Sequence, residues 1–157
     1  MEATHPNIIS TEVYESPWVS QMSDNINEGV SYFNYRGFAG MSGWSNYNTD
    51  QLTNGFMLPV VVTLTCLTGG FTDYSDCVSE HFLKVGSPSN PKGAIAAIGT
   101  ATGNTHTCFN NCVDAGIFYG IFSDSLYNMG AALNRGKLNL TLNYPQNPSN
   151  CIKNFSY

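Results

Sequence analysis

The stretch Leu58–Leu67 (LPVVVTLTCL) constrains the fold more than any other part of the sequence. Its run of valines followed by alternating threonines is typical of a strand that is buried on both faces. The stretch is too short to cross a bilayer, which takes about 20 apolar residues in a helix. Gly69 and Gly70 follow almost directly and mark the end of the strand. The segment therefore predicts a central strand of a parallel sheet.

Shorter segments on either side of this strand complete an alternating pattern of helices and strands. We predict strands at Ile8–Tyr14, Val30–Tyr35, Leu58–Leu67 and Ala94–Gly99, helices at Trp18–Asn27, Asp76–Val85, Asn110–Phe122 and Ser125–Asn134, a turn at Pro88–Pro91 and a polar tail over 138–157. The periodic apolar residues of the first helix stop at Gly29, a common helix terminator. The order β-α-β-loop-β-α-β-α indicates an α/β fold with a mostly parallel sheet and helices on both faces.

Two loops follow strands of this predicted sheet at the edge where ligand sites usually form. They are Arg36–Gly43, which is rich in glycine, and Cys66–Phe71. A thiol at Cys66 would face a cleft, beside flexible backbone whose N–H groups can bind an oxyanion, and this placement suits a nucleophile. From position alone, the alternative is that Cys66 is a small buried core residue, as unpaired cysteines often are.

A cysteine nucleophile also needs a base, and the sequence has three histidines. His106 lies in a polar loop after the Ala94–Gly99 strand, at the same edge as Cys66, and position makes it the only credible partner. The alternative is an ordinary loop histidine. His81 falls in the middle of a helix and indicates a packed or surface residue, while His5 lies near the N-terminus.

Composition argues against several classes of protein. The net charge is -5, with only six Lys and Arg, so the chain lacks the basic patch that nucleic-acid binding requires. No apolar run is long enough for a membrane span. Glu2 and His5 follow Met1 where a signal peptide would place basic and then apolar residues.

Metal and cofactor motifs are also missing from the sequence, and we predict neither a metal nor a cofactor. Cys108 and Cys112 are four residues apart, with no histidine at zinc-ligand spacing beyond them. Asp73, Asp76 and Glu80 could hold a cation, but we favour a role in capping and solubilising the helix that follows. The five cysteines fit either up to two disulfides plus one thiol or five reduced thiols.

Several spaced motifs together resemble one family. Residues Gly29–Ala39, ending on Trp44, resemble without a gap the gingipain segment that carries the catalytic histidine. Further similarity lies in Gln51–Asn54, Leu58-Pro59, Cys66–Phe71, Cys77 with Glu80, and Pro91–Ala96. The similarity runs from Trp18 to Lys137, and its combination of motifs is more specific than any single one. The sequence is thus similar to gingipain-like cysteine peptidases.

This resemblance implies a caspase-like three-layer sandwich and assigns roles to individual positions. The family nucleophile falls on Cys66, and the catalytic histidine falls on Phe38. The glycine that follows that histidine falls on Ala39, and a tryptophan of the specificity pocket falls on His106. The resemblance also leads us to expect residues 1–157 to be a single partial peptidase subdomain that is truncated at both ends.

The resemblance implies further residues of the expected site. We expect Gly37, Ala39 and Gly69 at the oxyanion site or the cleft, and Trp44 and His106 at the substrate-binding surface. Tyr35, Phe38, Trp44 and Tyr47 are expected to form a concave aromatic surface.

Phe38 cannot accept a proton, and this leaves two functional hypotheses. In the first, the chain is a cysteine endopeptidase: the Cys66 thiolate attacks the scissile carbonyl, backbone N–H groups of Cys66 and Ala39 stabilise the oxyanion, and His106 protonates the leaving amine. In the second, it is an inactive pseudopeptidase that serves as a binding or structural module. For both hypotheses, the resemblance implies a secreted or bacterial cell-surface protein, a polypeptide substrate or protein ligand, and an upstream subdomain of the same chain as partner.

Overall fold

The computed structural model describes residues 7–72, 76–103 and 105–146. In chain order, its regular elements are α1 (Trp18–Glu28), β1 (Tyr32–Tyr35), α2 (Asn46–Asp50), β2 (Val60–Thr63), α3 (Val78–Lys84), β3 (Gly86–Ser87), β4 (Asn90–Pro91), β5 (Ala96–Gly99), α4 (Thr107–Phe122) and α5 (Met129–Asn143). A short 3-10 turn, Met41–Gly43, precedes α2. None of the helices in the described part of the chain is long and apolar enough to cross a membrane.

Strands β1, β2 and β5 form a parallel sheet with β2 in the middle. Tyr35 pairs with Thr63, and Thr63 pairs with Gly99, so the three strands end at the same level. The valine-rich segment is therefore the central strand, as its composition predicts. Each of the three strands lies inside the segment predicted for it, shortened by a few residues at one or both ends.

The side chains of β2 alternate between two apolar layers. Val62 packs with Ile98 of β5 against Ile117 of α4, in a core to which α5 also contributes. Val61 faces the other way and packs against α1 and against Phe82 of α3. Successive residues of a strand point to opposite faces, and both faces of this sheet are covered by helices. The predicted α/β sandwich is confirmed.

The predicted first strand is wrong. No strand forms over the described residues 8–14, where Ile9 is 93% and Tyr14 is 78% exposed. Residues with a high strand propensity become a strand only when a partner supplies hydrogen bonds and packing. The segment finds no such partner strand in the described sheet, which begins at β1.

Helix α1 agrees with its prediction and ends at Gly29, whose φ of +94° is a conformation that favours glycine. The predicted turn at Pro88–Pro91 is found as a β-hairpin between β3 and β4. Helix α3 lies within the predicted segment Asp76–Val85 but is shorter at both ends.

The two C-terminal helices differ from their predictions in their bounds. Helix α4 begins at Thr107, three residues early, because the side chain of His106 caps its first turn. Helix α5 begins after Asn128, whose side chain accepts a hydrogen bond from the backbone N–H of Ala131. It then continues through Leu140, which is buried against α4, into the segment expected to be a polar tail. Residues 147–157 lie outside the described part of the chain.

Candidate active site

The two loops singled out by the sequence lie at one edge of the sheet. Arg36–Gly43 begins directly after β1, and Cys66 comes three residues after β2 ends at Thr63. Because β1 and β2 are parallel neighbours whose last residues pair, both loops leave the sheet on the same side. The loop after β5, which carries His106, leaves from this edge as well. The predicted convergence of the three loops is therefore found.

Cys66 is half-buried, and its sulfur contacts the loop after β5. Its Sγ lies 3.6 Å from the Thr105 hydroxyl oxygen. The side-chain amide of Asn110, in the first turns of α4, donates to that same hydroxyl at 2.7 Å. Since Thr105 accepts from Asn110, its own proton can point at the sulfur. A hydroxyl donor in this position favours a negatively charged sulfur.

The turn after Cys66 has an unusual backbone. Leu67 adopts φ +64°, in the left-handed region that disfavours side chains with a Cβ. Such conformations cost on the order of 1–3 kcal/mol, persist only where surrounding contacts hold them, and cluster at functional sites. Here the backbone N–H of Leu67 donates to the carbonyl of Thr102, on the loop after β5.

Thr68 fastens this turn to the sheet. Its hydroxyl lies 2.5 Å from the Thr63 carbonyl and 2.9 Å from the Thr65 carbonyl, so one proton is shared between the two oxygens. The same hydroxyl accepts from the backbone N–H of Thr100 at the end of β5. The turn that presents Cys66 is therefore held between β2 and β5 by a single buried side chain.

Gly69, expected at the oxyanion site or the cleft, has its backbone N–H bonded to the end of the sheet. Its backbone N–H donates to the carbonyl of Thr100 at 3.0 Å, and the residue is buried. A Cβ on Gly69 would lie 2.9 Å from the carbonyl carbon of Gly99. The absence of a side chain at Gly69 instead lets the turn pack directly on β5.

Phe38 projects into solvent from the loop after β1. The residue is 86% exposed, and its carbonyl accepts from the Tyr35 hydroxyl at 3.2 Å. The Tyr35 hydroxyl also lies 2.9 Å from the Ser42 hydroxyl, so a buried tyrosine closes the base of this loop. Gly37 and Ala39 are exposed on either side of Phe38. The position that the resemblance gives to the catalytic histidine is thus accessible.

The predicted concave aromatic surface does not form. Trp44, expected at the substrate-binding surface, is only 3% exposed. Its ring stacks on Phe82 with centroids 5.8 Å apart, and its Nε1 donates to the hydroxyl of buried Thr49. Tyr35 is also buried, whereas Phe38 and Tyr47 are exposed. Trp44 lies near a site loop in sequence but points into the core between the sheet, α1 and α3.

His106 is exposed and acts as the N-cap of α4. Its Nδ1 accepts from the backbone N–H of Cys108 at 3.3 Å and lies 3.0 Å from the Cys108 sulfur. The ring also packs obliquely on Phe109, with centroids 5.5 Å apart. Because Nδ1 accepts, the proton of a neutral imidazole resides on Nε2. The sequence placed His106 at the correct edge, but not its pairing with Cys108.

Arg36 is a residue of this edge whose importance sequence reasoning missed. Its guanidinium donates to the carbonyl of Leu64, two residues before Cys66, and to the carbonyl of Thr107 at 3.3 Å. Its Nε also donates to the side chain of Asn111 at 3.0 Å. One side chain therefore joins the loops after β1 and β2 to the start of α4. Arginine has the several donors in a planar fork that such a junction needs.

A half-buried aspartate lies beside this junction. Asp114 on α4 accepts from the side-chain amide of Asn34 on β1 at 3.1 Å. Burial raises the pKa of Asp114 to about 6, although the Asn34 hydrogen bond and the charge of Arg36 act in the opposite direction. Its other oxygen, Oδ1, is buried without a hydrogen-bond partner among the described residues. Nothing in the local sequence around Asp114 indicates this group.

The remaining polar residues that the sequence singled out lie elsewhere. His81 on α3 contacts Asp76 through Nδ1 and Asp50 of α2 through Nε2, the latter at 2.9 Å. It is thus a packed helix residue, as expected. Asp76 also pairs with Lys84, and Lys84 pairs with Glu80. These contacts favour a structural role for the acidic residues, while Asp73 lies outside the described residues.

Three further observations describe the cysteines, a surface depression and possible metal-binding groups. Cys66, Cys77, Cys108 and Cys112 form no disulfide with one another, and Cys151 lies outside the described residues. A shallow depression of about 250 Å³ between the end of α3 and the β3–β4 hairpin contains none of the predicted site residues. Within the described ranges, no group of three or more His, Cys, Asp and Glu is arranged to hold a metal ion.

A family model and the curated relatives agree on one peptidase family. The model of peptidase family C25 matches residues 1–157. Gingipain R2 of Porphyromonas gingivalis is 31% identical over 80 residues, which make up 48% of this chain and 11% of that relative. Gingipain R1 of the same organism is also 31% identical over 80 residues, or 8% of its length. The chain thus spans about a tenth of the length of these curated relatives.

Solved structures agree on the fold. The crystal structure of the Arg-specific cysteine proteinase gingipain R matches with a TM-score of 0.77 and 19% identity, over 91% of this chain and 35% of that chain. A complex of Porphyromonas gingivalis RgpB pro- and mature domains matches with a TM-score of 0.74 and 20% identity, over 91% of this chain and 36% of that chain. At this level of identity the likeness establishes the caspase-like architecture.

Proposed function

The chain belongs to peptidase family C25, and from this membership we propose that it is a cysteine peptidase domain whose nucleophile is Cys66. The observation that carries the proposal is the placement of Cys66. It lies half-buried at the carboxyl edge of the parallel sheet, directly before the left-handed Leu67, with its sulfur 3.6 Å from the Thr105 hydroxyl. A strained turn next to a thiol that has a hydroxyl donor suits a nucleophile.

The proposed reaction is attack of the Cys66 thiolate on the carbonyl carbon of a polypeptide substrate. Backbone N–H groups of Cys66 and Ala39 would stabilise the oxyanion, and Gly37 leaves room beside them at the exposed end of the β1 loop. Gly69 is left out of this step because its N–H already bonds to Thr100. Collapse of the intermediate breaks the C–N bond, and the leaving amine takes a proton.

His106 suits the proton-donor half of this reaction better than the base half. Its Nδ1 accepts from the Cys108 backbone, which leaves the proton of the neutral ring on Nε2. When the ring is charged, both nitrogens carry protons, and Nε2–H can protonate a leaving amine as the ring becomes neutral. In the neutral ring, the accepting nitrogen lies against Cys108 and its backbone N–H, so it is not offered to Cys66. We therefore propose His106 as the general acid, within a site whose base position holds Phe38.

A second candidate function is an inactive pseudopeptidase that binds a protein ligand. The specific observation in its favour is the pair of exposed aromatic side chains at the carboxyl edge. Phe38 is 86% exposed, and Phe71, which ends the Cys66 loop, is 64% exposed. Exposed aromatic rings are common anchors of protein interfaces. The two candidates differ in whether Cys66 has enhanced reactivity.

Partners and location are proposed by resemblance. One matched structure is a complex of pro- and mature domains, and we propose an upstream subdomain of the same chain as the partner of this domain. We also propose that the protein is secreted or lies on a bacterial cell surface. The arginine specificity named for gingipain R is a property of that protein.

The peptidase proposal is tested by introducing a histidine at position 38, where the resemblance places the catalytic histidine. In the full-length protein, Phe38→His is expected to raise the rate at which a peptidyl chloromethyl ketone labels Cys66 at pH 7, by about 10²-fold, because a general base contributes about 10²–10⁴-fold. Peptide mapping assigns the label to Cys66, and Cys66→Ala removes it. Phe38→Gln is the matched control, since it removes the ring without supplying a base.

The outcomes separate the two candidates. Labelling of the native Cys66 that is much faster than that of an ordinary thiol supports the active peptidase. Slow native labelling that only Phe38→His accelerates supports the pseudopeptidase. If folded Phe38→His labels no faster than Phe38→Gln, the assignment of the histidine position to the β1 loop is wrong.

A further inference from the structure

Cys108, in the first turn of α4, is a thiol that the proposed peptidase reaction does not use. Its sulfur is 3.0 Å from Nδ1 of His106, which is hydrogen-bond distance for a thiol and an imidazole. Cys108 is half-buried and His106 is exposed, so small molecules can reach the pair. A nucleophile within hydrogen-bond reach of a base is the minimal arrangement for an activated thiol.

Tyr144 and the N-terminal end of α4 also act on Cys108. Tyr144 lies just beyond the end of α5, and its pKa is raised above the ordinary value, first by a hydrogen bond of its side chain to Cys108 and then by electrostatic interaction with that residue. The ring of Tyr144 is fixed edge-on against Phe109 with centroids 4.8 Å apart. Cys108 also lies at the N-terminal end of a 16-residue helix, where the helix dipole favours negative charge.

We propose that Cys108 is a second reactive thiol, with His106 as its base and Tyr144 as a hydrogen-bond donor to its thiolate, and that it reacts with small disulfides and other soft electrophiles. This inference goes beyond the peptidase function and holds whether or not Cys66 is active. The two thiols have different neighbours: Nδ1 of His106 lies against the Cys108 sulfur, whereas the Cys66 sulfur contacts the Thr105 hydroxyl.

The covalent step is thiol–disulfide exchange. His106 Nδ1 takes the proton of the Cys108 thiol, and the thiolate attacks one sulfur of a small disulfide. A new S–S bond forms as the old one breaks, and the departing thiolate takes the proton back from the imidazolium. The products are a mixed disulfide at Cys108 and one small thiol, and the small disulfide is the only oxidant consumed.

The chain supplies an internal standard in Cys112. It lies one turn further along α4 and is also half-buried, but its sulfur accepts from the side-chain amide of Asn139 at 3.4 Å. The titratable groups around Cys108 are His106 and Tyr144, with Cys112 on the same helix. Comparison of the two cysteines within one protein removes differences in reagent and folding.

The experiment treats the full-length protein with 2-hydroxyethyl disulfide, a neutral reagent, at pH 7. Peptide mapping by mass spectrometry follows Cys108 and Cys112 separately, with the urea-unfolded chain as the reference for each. We expect Cys108 to react at least tenfold faster than Cys112 in the folded protein and at a similar rate in urea. Cys66→Ala should leave the Cys108 rate unchanged.

Two variants test the roles of the neighbours without disturbing the helix. His106→Asn retains a side-chain oxygen that can cap α4 but removes the base, and should slow Cys108 at least tenfold. Tyr144→Phe keeps the ring on Phe109, removes the hydroxyl, and should slow Cys108 by a smaller factor. The proposal fails if native Cys108 reacts no faster than Cys112, a result that needs no variant, or if folded His106→Asn reacts as fast as the native protein.

Discussion

At the scale of single residues, the site depends on places where a side chain is absent or strained. Gly69 and Gly99 bring the Cys66 turn and the end of β5 into backbone contact, since a Cβ on Gly69 would meet backbone atoms at 2.9–3.2 Å. Backbone atoms in two fixed elements cannot move aside easily. Leu67 meanwhile holds φ +64° directly after the nucleophile. The position of Cys66 thus depends on close packing around the turn.

Gly69→Ala should therefore destabilise the protein, by about 1–3 kcal/mol, which is the usual cost of overpacking. It should also disturb the reactivity of Cys66, because the turn must shift to admit the methyl group. Urea unfolding measures the free energy, and the rate of labelling at Cys66 measures the local effect.

Gly103→Ala is the matched control, because among the described residues a Cβ there would meet the Leu67 side chain alone, at 3.7–3.8 Å, which is ordinary contact. We expect this control to change the free energy of unfolding by no more than about 0.5 kcal/mol. Equal stability of the two variants would show that the contact between the Cys66 turn and β5 is looser than described.

At the scale of elements, His81 joins α2 to α3. Burial by itself would lower the pKa of His81, but hydrogen bonds to Asp76 and Asp50 outweigh burial and raise it above its ordinary value. The pKa of Asp76 is lowered, first by its hydrogen bond to His81 and also by Lys84. The histidine is therefore charged more readily in the folded chain than in the unfolded chain, and the two shifts describe one ion pair.

The stabilisation from His81 should depend on pH. A folded-state pKa above the unfolded value of about 6.5 gives a contribution that is complete below pH 6.5 and is lost as the pH rises through the folded pKa. His81→Gln should thus destabilise the protein by about 1 kcal/mol at pH 5.5 and by less at pH 9. Urea unfolding at both pH values measures the difference.

A double-mutant cycle with Asp50→Asn isolates the pair from other effects of the substitution. The coupling energy between His81 and Asp50 should be larger at pH 5.5 than at pH 9. An equal coupling energy at pH 5.5 and pH 9 would mean that these side chains interact without a charge on His81.

At the scale of the whole molecule, the sequence predicts layers better than it predicts contacts between them. The valines of β2 identify the central strand because burial on both faces requires apolar, β-branched residues there. Trp44, by contrast, belongs to a loop motif, and nothing local shows that its ring stacks on Phe82. Arg36 reaches Leu64 and Thr107 across 28 and 71 residues of chain, so its role emerges only after the sheet and α4 have packed.

The least predictable group is Asp114, which the packing of α4 on β1 encloses. A carboxyl whose folded pKa of about 6 exceeds the unfolded value of 3.8 favours the fold when it is protonated. Its contribution to stability is complete below pH 3.8 and is lost as the pH rises through about 6. At neutral pH the half-buried carboxylate of Asp114 therefore lowers the free energy of unfolding, and the charge of Arg36 only partly offsets this loss.

Asp114→Asn should remove this cost while keeping an oxygen that can accept from Asn34. We expect the variant to be more stable than the native protein at pH 8, by about 1–2 kcal/mol, and by about a third of that amount at pH 4.5. Urea unfolding at the two pH values measures both differences. Asp24→Asn, at an exposed position of α1, is the control and should have little effect at either pH. If Asp114→Asn is instead less stable at pH 8, attraction between the carboxylate and Arg36 outweighs burial, and the junction at this edge is an ion pair that the fold requires.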